Sequence, residues 1–191
     1  MKSLRFVISV ALLSLSSLAV AQNHSGMEKS PAPKSDAQIS FDTMKTLAGK
    51  WTGPVVVDPP VNGDMEKSGI EVSLRVTSRG NALVHEMKGA GTPDDPARYD
   101  HPVTMLYLDG ERLLLTHYCD AGNRPRMVGK VSPDGKKVEF DFLDVSGSTQ
   151  YGHMHHAVFT IIDANHHIEE WTYMMPGDQA MHARFDLKRV Q

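Results

Sequence analysis

The chain has 191 residues, with 23 acidic and 20 basic side chains and a formal net charge of −3 at pH 7. Such a surface is not attracted to nucleic acid backbones or to anionic lipid, so neither is expected as a partner. Because Cys119 is the only cysteine, no internal disulfide can form. The length suits one domain that is stabilised by an apolar core.

The first residues have the pattern of a cleavable signal peptide. Lys2 and Arg5 precede an apolar run, which ends in the small-x-small cleavage site Ala19-Val20-Ala21. The apolar run contains serines and is shorter than the ~20 residues that a membrane span needs, so no stable membrane anchor is expected. We therefore predict a signal peptide over residues 1–21 and a periplasmic or secreted protein.

Two further segments precede the predicted strands. Residues 22–36 mix polar, small and proline residues without apolar periodicity, which predicts a flexible linker before a domain over residues 37–191. Asp36 can cap a short helix that runs through Ala48 and ends at Gly49. This helix is expected to close one end of the domain.

From Trp51 onward, short segments rich in β-branched and aromatic residues alternate with turn dipeptides. About ten strands without a helical crossover predict an all-β fold, an up-and-down antiparallel barrel, because closure removes exposed edges. The predicted strands are Trp51–Val57, Ile70–Ser78, Ala82–Lys88, Val103–Leu108, Arg112–Cys119, Arg126–Val131, Lys137–Val145, His153–Ile162, His167–Met174 and Met181–Val190.

Three stretches resemble a known group of barrels. The run Leu47-Ala48-Gly49-Lys50-Trp51-Thr52-Gly53 resembles the Gly-x-Trp motif at the start of calycin barrels, which include lipocalins, fatty-acid-binding proteins and nitrobindin-like proteins. Arg189 is similar to the basic residue that in lipocalins packs over that tryptophan. Residues Thr116–Cys119 and Gly122–Met127 resemble a segment of uncharacterised bacterial exported lipocalin-like proteins. Over residues 41–190 the resemblance implies a calycin-like β-barrel.

His85 is the first candidate for a ligand-binding residue. A two-residue loop at Gly80-Asn81 pairs His85 with Val76 and directs the imidazole toward apolar side chains. A buried histidine is most often only hydrogen-bonded to a neighbour, which is the alternative interpretation here.

A second candidate group lies on one predicted strand. His117 and Cys119 are two residues apart and therefore share a face with Leu113 and Leu115. Imidazole and thiolate are ligands of haem iron and of transition metals, so the pair indicates a metal site as one hypothesis. Free cysteine is also often buried as a small apolar residue, and no second cysteine completes the site.

The last hairpins carry most of the remaining histidines. If Ile162 pairs with His167 across the Ala164-Asn165 turn, His155 and Glu170 form a polar spot within an apolar lining. The side chains on that predicted inner face are His155, Ala157, Phe159, Ile161, Ile168, Glu170, Thr172 and Met174. The histidines expected at a solvated rim are His153, His166 and His167.

Two motifs beside these strands complete the candidates. His182, before the final strand, is similar to the haem-ligating histidine of nitrobindin-like barrels, although strand alternation places it opposite Phe185. Arg124 and Arg126 could hold a carboxylate at the barrel mouth through charge-assisted hydrogen bonds, or form a solvated turn.

The leading interpretation is an exported, non-enzymatic binding protein that holds a small, mostly apolar molecule inside the barrel. The first alternative is a haem or transition-metal protein that uses His85, His117, Cys119 or His182. The second is an enzyme acting through Glu170 and His155, but no known catalytic motif is present and no catalytic residue is predicted. The sequence identifies neither the ligand nor a protein partner. The predicted ligand-binding residues are His85, Leu113, Leu115, His117, Cys119, Arg126, His155, Phe159, Glu170 and Met174.

Overall fold

The structure, a computed structural model, describes residues 33–60 and 68–191. The predicted signal peptide and residues 22–32 of the predicted linker lie outside the described residues. No helix in the described ranges is long and apolar enough to cross a membrane. The elements are α1 (Asp36–Lys45), β1 (Gly49–Gly53), β2 (Val55–Asp58), β3 (Ile70–Thr77), β4 (Ala82–Gly89), β5 (Val103–Asp109), β6 (Arg112–Tyr118), β7 (Arg124–Val131), β8 (Lys137–Ser146), β9 (His153–Asp163), β10 (His166–Met175) and β11 (Gln179–Arg189).

All strands belong to one antiparallel sheet that closes on itself. β1 and β2 form one strand interrupted at Pro54, which has no N–H to donate to the sheet. β1 pairs with both β3 and β11, and β2 pairs with β11, so the sheet is a closed barrel of ten strands. The predicted all-β, up-and-down barrel of about ten strands with a short helix before it is confirmed.

Helix α1 closes one end of the barrel, called here the helix end. Ser35, rather than the predicted Asp36, caps it, because the Ser35 side chain accepts a hydrogen bond of 3.2 Å from the backbone N–H of Gln38. The helix ends at Lys45 instead of Ala48. Its buried side chains Phe41 and Met44 belong to the same apolar cluster as the barrel interior. The other end of the barrel, where β2 ends and β3 begins, is called the open end.

Trp51 and Arg189 fix the junction of the first and last strands at the helix end. The indole N–H of Trp51, a residue with only 1% exposed area, donates to the Leu47 carbonyl oxygen at 2.8 Å. The Arg189 guanidinium lies 4.1 Å from the centre of the Trp51 ring and donates to the carbonyl oxygens of Ala48 and Ala164. The predicted packing of Arg189 over Trp51 is therefore observed.

The hairpin between β3 and β4 differs in register from the prediction. Its turn has four residues, Ser78–Asn81, with Ser78 and Arg79 in the left-handed region at φ 51° and 54°. His85 is therefore opposite Leu74 instead of Val76. Because the shift is two residues, His85 stays on the inner face.

The hairpin between β9 and β10 contains a β-bulge that reverses the predicted faces. His166 pairs with Asp163, but His167 pairs with Ile161, so Ile162 has no partner and the predicted pairing of Ile162 with His167 is wrong. Because side chains alternate, one inserted residue turns every later side chain of β10 to the other face. The inward residues are His167, Glu169 and Trp171, and the outward residues are Ile168, Glu170, Thr172 and Met174.

Candidate functional site

A fully buried carboxylate lies inside the barrel. Glu169 on β10 has no exposed area and accepts hydrogen bonds from three side chains. The donors are the Nε2 atom of His85 at 3.0 Å, the Nε2 atom of His167 at 3.0 Å and the indole N–H of Trp171 at 3.0 Å. We call Glu169, His85, His167 and Trp171 the Glu169 cluster.

The Glu169 cluster holds its carboxyl group in the ionised form. Burial by itself raises the pKa of Glu169, because it penalises the charged carboxylate. The attraction of His85 and the hydrogen bonds from His167 and His85 outweigh burial, so the pKa lies well below its usual range. A charged acceptor with three N–H donors satisfies the requirement that a buried charge be hydrogen-bonded.

His117 lies beside this cluster and keeps one nitrogen free. His85, Thr104 and His117 are paired neighbours on β4, β5 and β6. The Thr104 hydroxyl and the Nδ1 atom of His117 are 2.8 Å apart, while the Nε2 atom of His117 is buried and has no hydrogen-bond partner among the described residues. The His117 ring lies 5.7 Å from the Trp171 ring.

Two effects keep His117 neutral. Burial, and secondly the electrostatic effect of the neighbouring His85, lower the pKa of His117 to about 3. A neutral imidazole has one N–H and one lone pair, so its free Nε2 atom can bind a polar group of a ligand. A buried polar atom without a partner destabilises a protein by about 1–3 kcal/mol, and a bound ligand can remove this penalty.

The predicted apolar lining faces the barrel interior. Leu113, Leu115 and Phe159 have no exposed area and belong to the central apolar cluster, beside His85 and His117. Their role in binding a ligand stays a prediction.

Cys119 lies just beyond β6, half-buried at the open end. Burial raises the pKa of its thiol above the usual value. Within the described ranges, the three-membered group of possible metal ligands is Glu139, Asp141 and His156, so no third such residue joins His117 and Cys119. The predicted metal pair therefore lacks a complete ligand set.

Arg126 does not face the interior. Its guanidinium binds the Asp144 carboxylate on the neighbouring strand, with Nε 2.8 Å from Oδ1, and its side chain is 42% exposed. Met127, the next residue, is fully buried. Strand alternation turns the guanidinium outward, and the role of Arg126 in binding a ligand at the barrel mouth stays a prediction.

The predicted pair of His155 and Glu170 is also absent. Glu170 is exposed on the outer face because of the bulge, and Met174 follows the same alternation. His155 is half-buried and stacks on Phe142 with ring centres 4.7 Å apart. The inner polar spot consists of Glu169 and His167 instead, and His167 is fully buried where a solvated rim was expected.

His182 lies outside the barrel. It is exposed, its Nδ1 atom is 3.1 Å from the Thr172 hydroxyl, and it takes the outer face as strand alternation predicted. It cannot join His117 at an interior site.

Glu169, His167 and Trp171 were missed by sequence reasoning, although Trp171 carried a usable signal. The predicted register placed Trp171, one of two tryptophans in the chain, on the solvated face. Large aromatic side chains dominate cores, so a register that buries Trp171 is the better choice and also places Glu169 inside.

Partly buried apolar side chains lie toward both ends of the barrel. Met154, Met181 and Ala183 lie at the open end against the central cluster, and Leu108, Val131 and Ile161 lie toward the helix end. Methionine is unbranched and flexible, so Met154 and Met181 can change rotamer to admit a ligand.

Two surface cavities lie outside the barrel interior. The larger, of about 650 Å³, lies on the outer side of β1, β3 and β4. Its charged lining residues are Lys50, Glu71, Glu86, Lys88 and Asp94. The smaller, of about 480 Å³, lies between residues 96–103 and Cys119.

Comparison with known proteins supports the fold alone. No family model and no curated protein matches the chain. The structure of Rv2717c from M. tuberculosis is similar, with 13% identity and a TM-score of 0.56, over 80% of this chain and 98% of that chain. A DUF3598-family protein of unknown function from Nostoc punctiforme PCC 73102 matches with 13% identity and a TM-score of 0.40, over 85% of this chain and 53% of that chain.

Proposed function

We propose that the chain is a non-enzymatic binding protein with a calycin-like barrel, which holds a small, mostly apolar molecule at its open end above His117. The observation that carries this proposal is the buried Nε2 atom of His117, which has no hydrogen-bond partner among the described residues. A polar atom of this kind amid apolar side chains matches binding sites in which a few polar groups orient an apolar ligand.

The barrel fold is compatible with such a site. Barrels of about this size enclose side chains or one small ligand. The interior beneath the site is fully packed, whereas Met154 and Met181 above it are only partly buried. We propose that the ligand enters at the open end and displaces these two side chains.

We further propose that the protein is exported and loses residues 1–21. The support is the sequence pattern of Lys2, Arg5 and the small residues ending at Ala21.

The binding function can be tested on the full chain expressed in bacteria and purified after processing. Solvent extraction and mass spectrometry of the wild-type protein are expected to yield a bound apolar molecule. Met181→Trp fills the open end and is expected to lower its occupancy at least tenfold, whereas Val56→Trp, on the exposed outer face, is expected to leave occupancy unchanged. An empty extract combined with no binding of any apolar fluorescent probe would contradict the proposal.

A second candidate function is binding of haem or a transition metal through His117. The favouring observation is that His117 is neutral and has a free nitrogen, as metal ligation requires. The absorption spectrum and metal content of the purified protein separate the two functions. A haem band or stoichiometric metal that is lost in His117→Ala would replace the carrier function.

A further inference from the structure

Among the described residues, the buried polar and charged side chains include neither lysine nor arginine, and the basic side chains among them are histidines. A carboxylate that leaves water is stabilised only by a cation or by several N–H donors, so a site that binds fatty acids must provide such groups. The charge of the ligand can therefore be inferred from the groups that surround it.

The three arginines that the sequence suggests for roles at the barrel all have other partners. Arg124 is exposed and donates to the Ser146 hydroxyl oxygen at 3.2 Å, and Arg126 faces outward and pairs with Asp144. Arg189 lies at the helix end, where its guanidinium donates to the carbonyl oxygens of Ala48 and Ala164. Arg124 and Arg126 thus point away from the interior, and Arg189 lies at the opposite end from the proposed ligand.

The buried histidines do not replace these cations. His85 and His167 direct their Nε2 atoms to Glu169, and His117 is neutral because of burial and of His85. The carboxylate of Glu169 already accepts the hydrogen bonds of His85 and His167, so these two Nε2 atoms are not available to an anionic ligand. A cationic ligand gains little from Glu169, because three N–H donors already surround that carboxylate.

A hydroxyl group meets the requirement of the free Nε2 atom in either tautomer of His117. If the Nδ1 atom carries the proton and donates to Thr104, the Nε2 atom accepts a hydrogen bond; if Thr104 donates, the Nε2 atom donates. A hydroxyl both donates and accepts, and it requires no charged partner.

We infer that the ligand is an uncharged amphiphile, an apolar alcohol whose hydroxyl binds the Nε2 atom of His117, and that the barrel discriminates against fatty acids. This inference rests on the proposed binding function. It names the ligand class of that same site.

The experiment compares 1-decanol with decanoate at pH 8, where the acid is ionised. Binding is followed by tryptophan fluorescence, since Trp171 lies beside His117, and by calorimetry. Decanol is expected to bind at least tenfold more tightly than decanoate. His117→Phe is expected to weaken decanol binding about tenfold with little effect on decanoate, and Arg126→Gln to change neither. Because His117→Phe alters a buried residue, its fold is checked by circular dichroism, and His117→Gln provides a second variant that keeps a hydrogen-bonding group.

The outcomes separate this inference from the proposed function. Equal or tighter binding of decanoate, or a native extract dominated by carboxylic acids, would overturn the inference and leave the binding function standing. Decanol affinity that is unchanged in a folded His117→Phe variant would overturn the role of His117. Absence of binding by both compounds, together with an empty native extract, would overturn the binding function itself.

Discussion

Glu169 and Glu170 are adjacent in sequence and have opposite surroundings. Glu169 has no exposed area and three N–H donors, whereas Glu170 lies exposed on the outer face. A buried carboxylate is tolerated only while its hydrogen bonds are made, so the two residues should respond very differently to the same substitution.

Glu169→Gln is expected to lower the free energy of unfolding by about 3–5 kcal/mol, because the variant leaves two buried imidazoles without their charged acceptor. The matched control Glu170→Gln should change it by less than about 0.5 kcal/mol, as exposed substitutions usually do. Urea denaturation of both variants measures the difference. Equal effects would contradict the inward assignment of Glu169 and with it the register of β10.

His117 makes stability depend on pH. Its pKa is about 3 in the folded protein against 6.5 for the unperturbed side chain, so the unfolded chain binds a proton that the folded protein excludes. The free energy of unfolding therefore decreases as the pH falls through 6.5, by about 2 kcal/mol between pH 7.5 and pH 5. Burial also lowers the pKa of His153, which adds to the loss in the same direction.

Urea denaturation at pH 7.5 and pH 5 measures this loss. The variant His117→Gln has no titrating group at this position, so it should lose about 2 kcal/mol less than the wild type over the same range. Identical pH dependence in the two proteins would show that His117 is not buried in its neutral form.

At the level of elements, the barrel is joined where β1 meets β11. Arg189 packs on the Trp51 ring at this junction and donates to the Ala48 carbonyl oxygen in the turn after α1 and to the Ala164 carbonyl oxygen in the turn between β9 and β10. Arg189→Ala is expected to lower the free energy of unfolding by about 2–4 kcal/mol, from a lost cation–π contact and the unmade charged hydrogen bonds. Urea denaturation measures this change, and Lys188→Ala, on the exposed face of the same strand, is the control. An equal decrease in the free energy of unfolding in both variants would contradict the role of Arg189 at the junction.

The strands could be predicted because turn residues separate segments in which apolar and polar residues alternate. The same alternation predicted that His85, Leu113 and His117 point inward. The partners of β10 could not be predicted. A bulge depends on how Ile162 and its neighbours fit the twist of the sheet. Because Ile162 is left without a partner, Glu169 lies inside the barrel where Glu170 was predicted. The partner of Arg126 was not predicted either, because Asp144 lies on the adjacent strand and their pairing depends on the register of that hairpin.

For the whole molecule, export remains a prediction with a direct test. Intact mass measurement of the protein isolated from the periplasm or medium is expected to show a chain that begins at Gln22. Ala21→Arg should block cleavage and leave a longer precursor with the cell membrane, because the cleavage site requires small residues. An unprocessed wild-type chain in the cytoplasm would contradict the prediction.

The pairing of β1 with β11 also sets an order on folding. Trp51 and Arg189 are partners in adjacent strands although nearly the whole described chain separates them. The first strand therefore cannot find one of its neighbours until the last strand has been synthesised, and such distant pairings form slowly. Until then β1 and β10 each have an unpaired edge, and unpaired edges are the sites through which β proteins aggregate. A chain truncated before Gln179 would therefore be bound by chaperones or degraded by proteases, and would not form a smaller barrel.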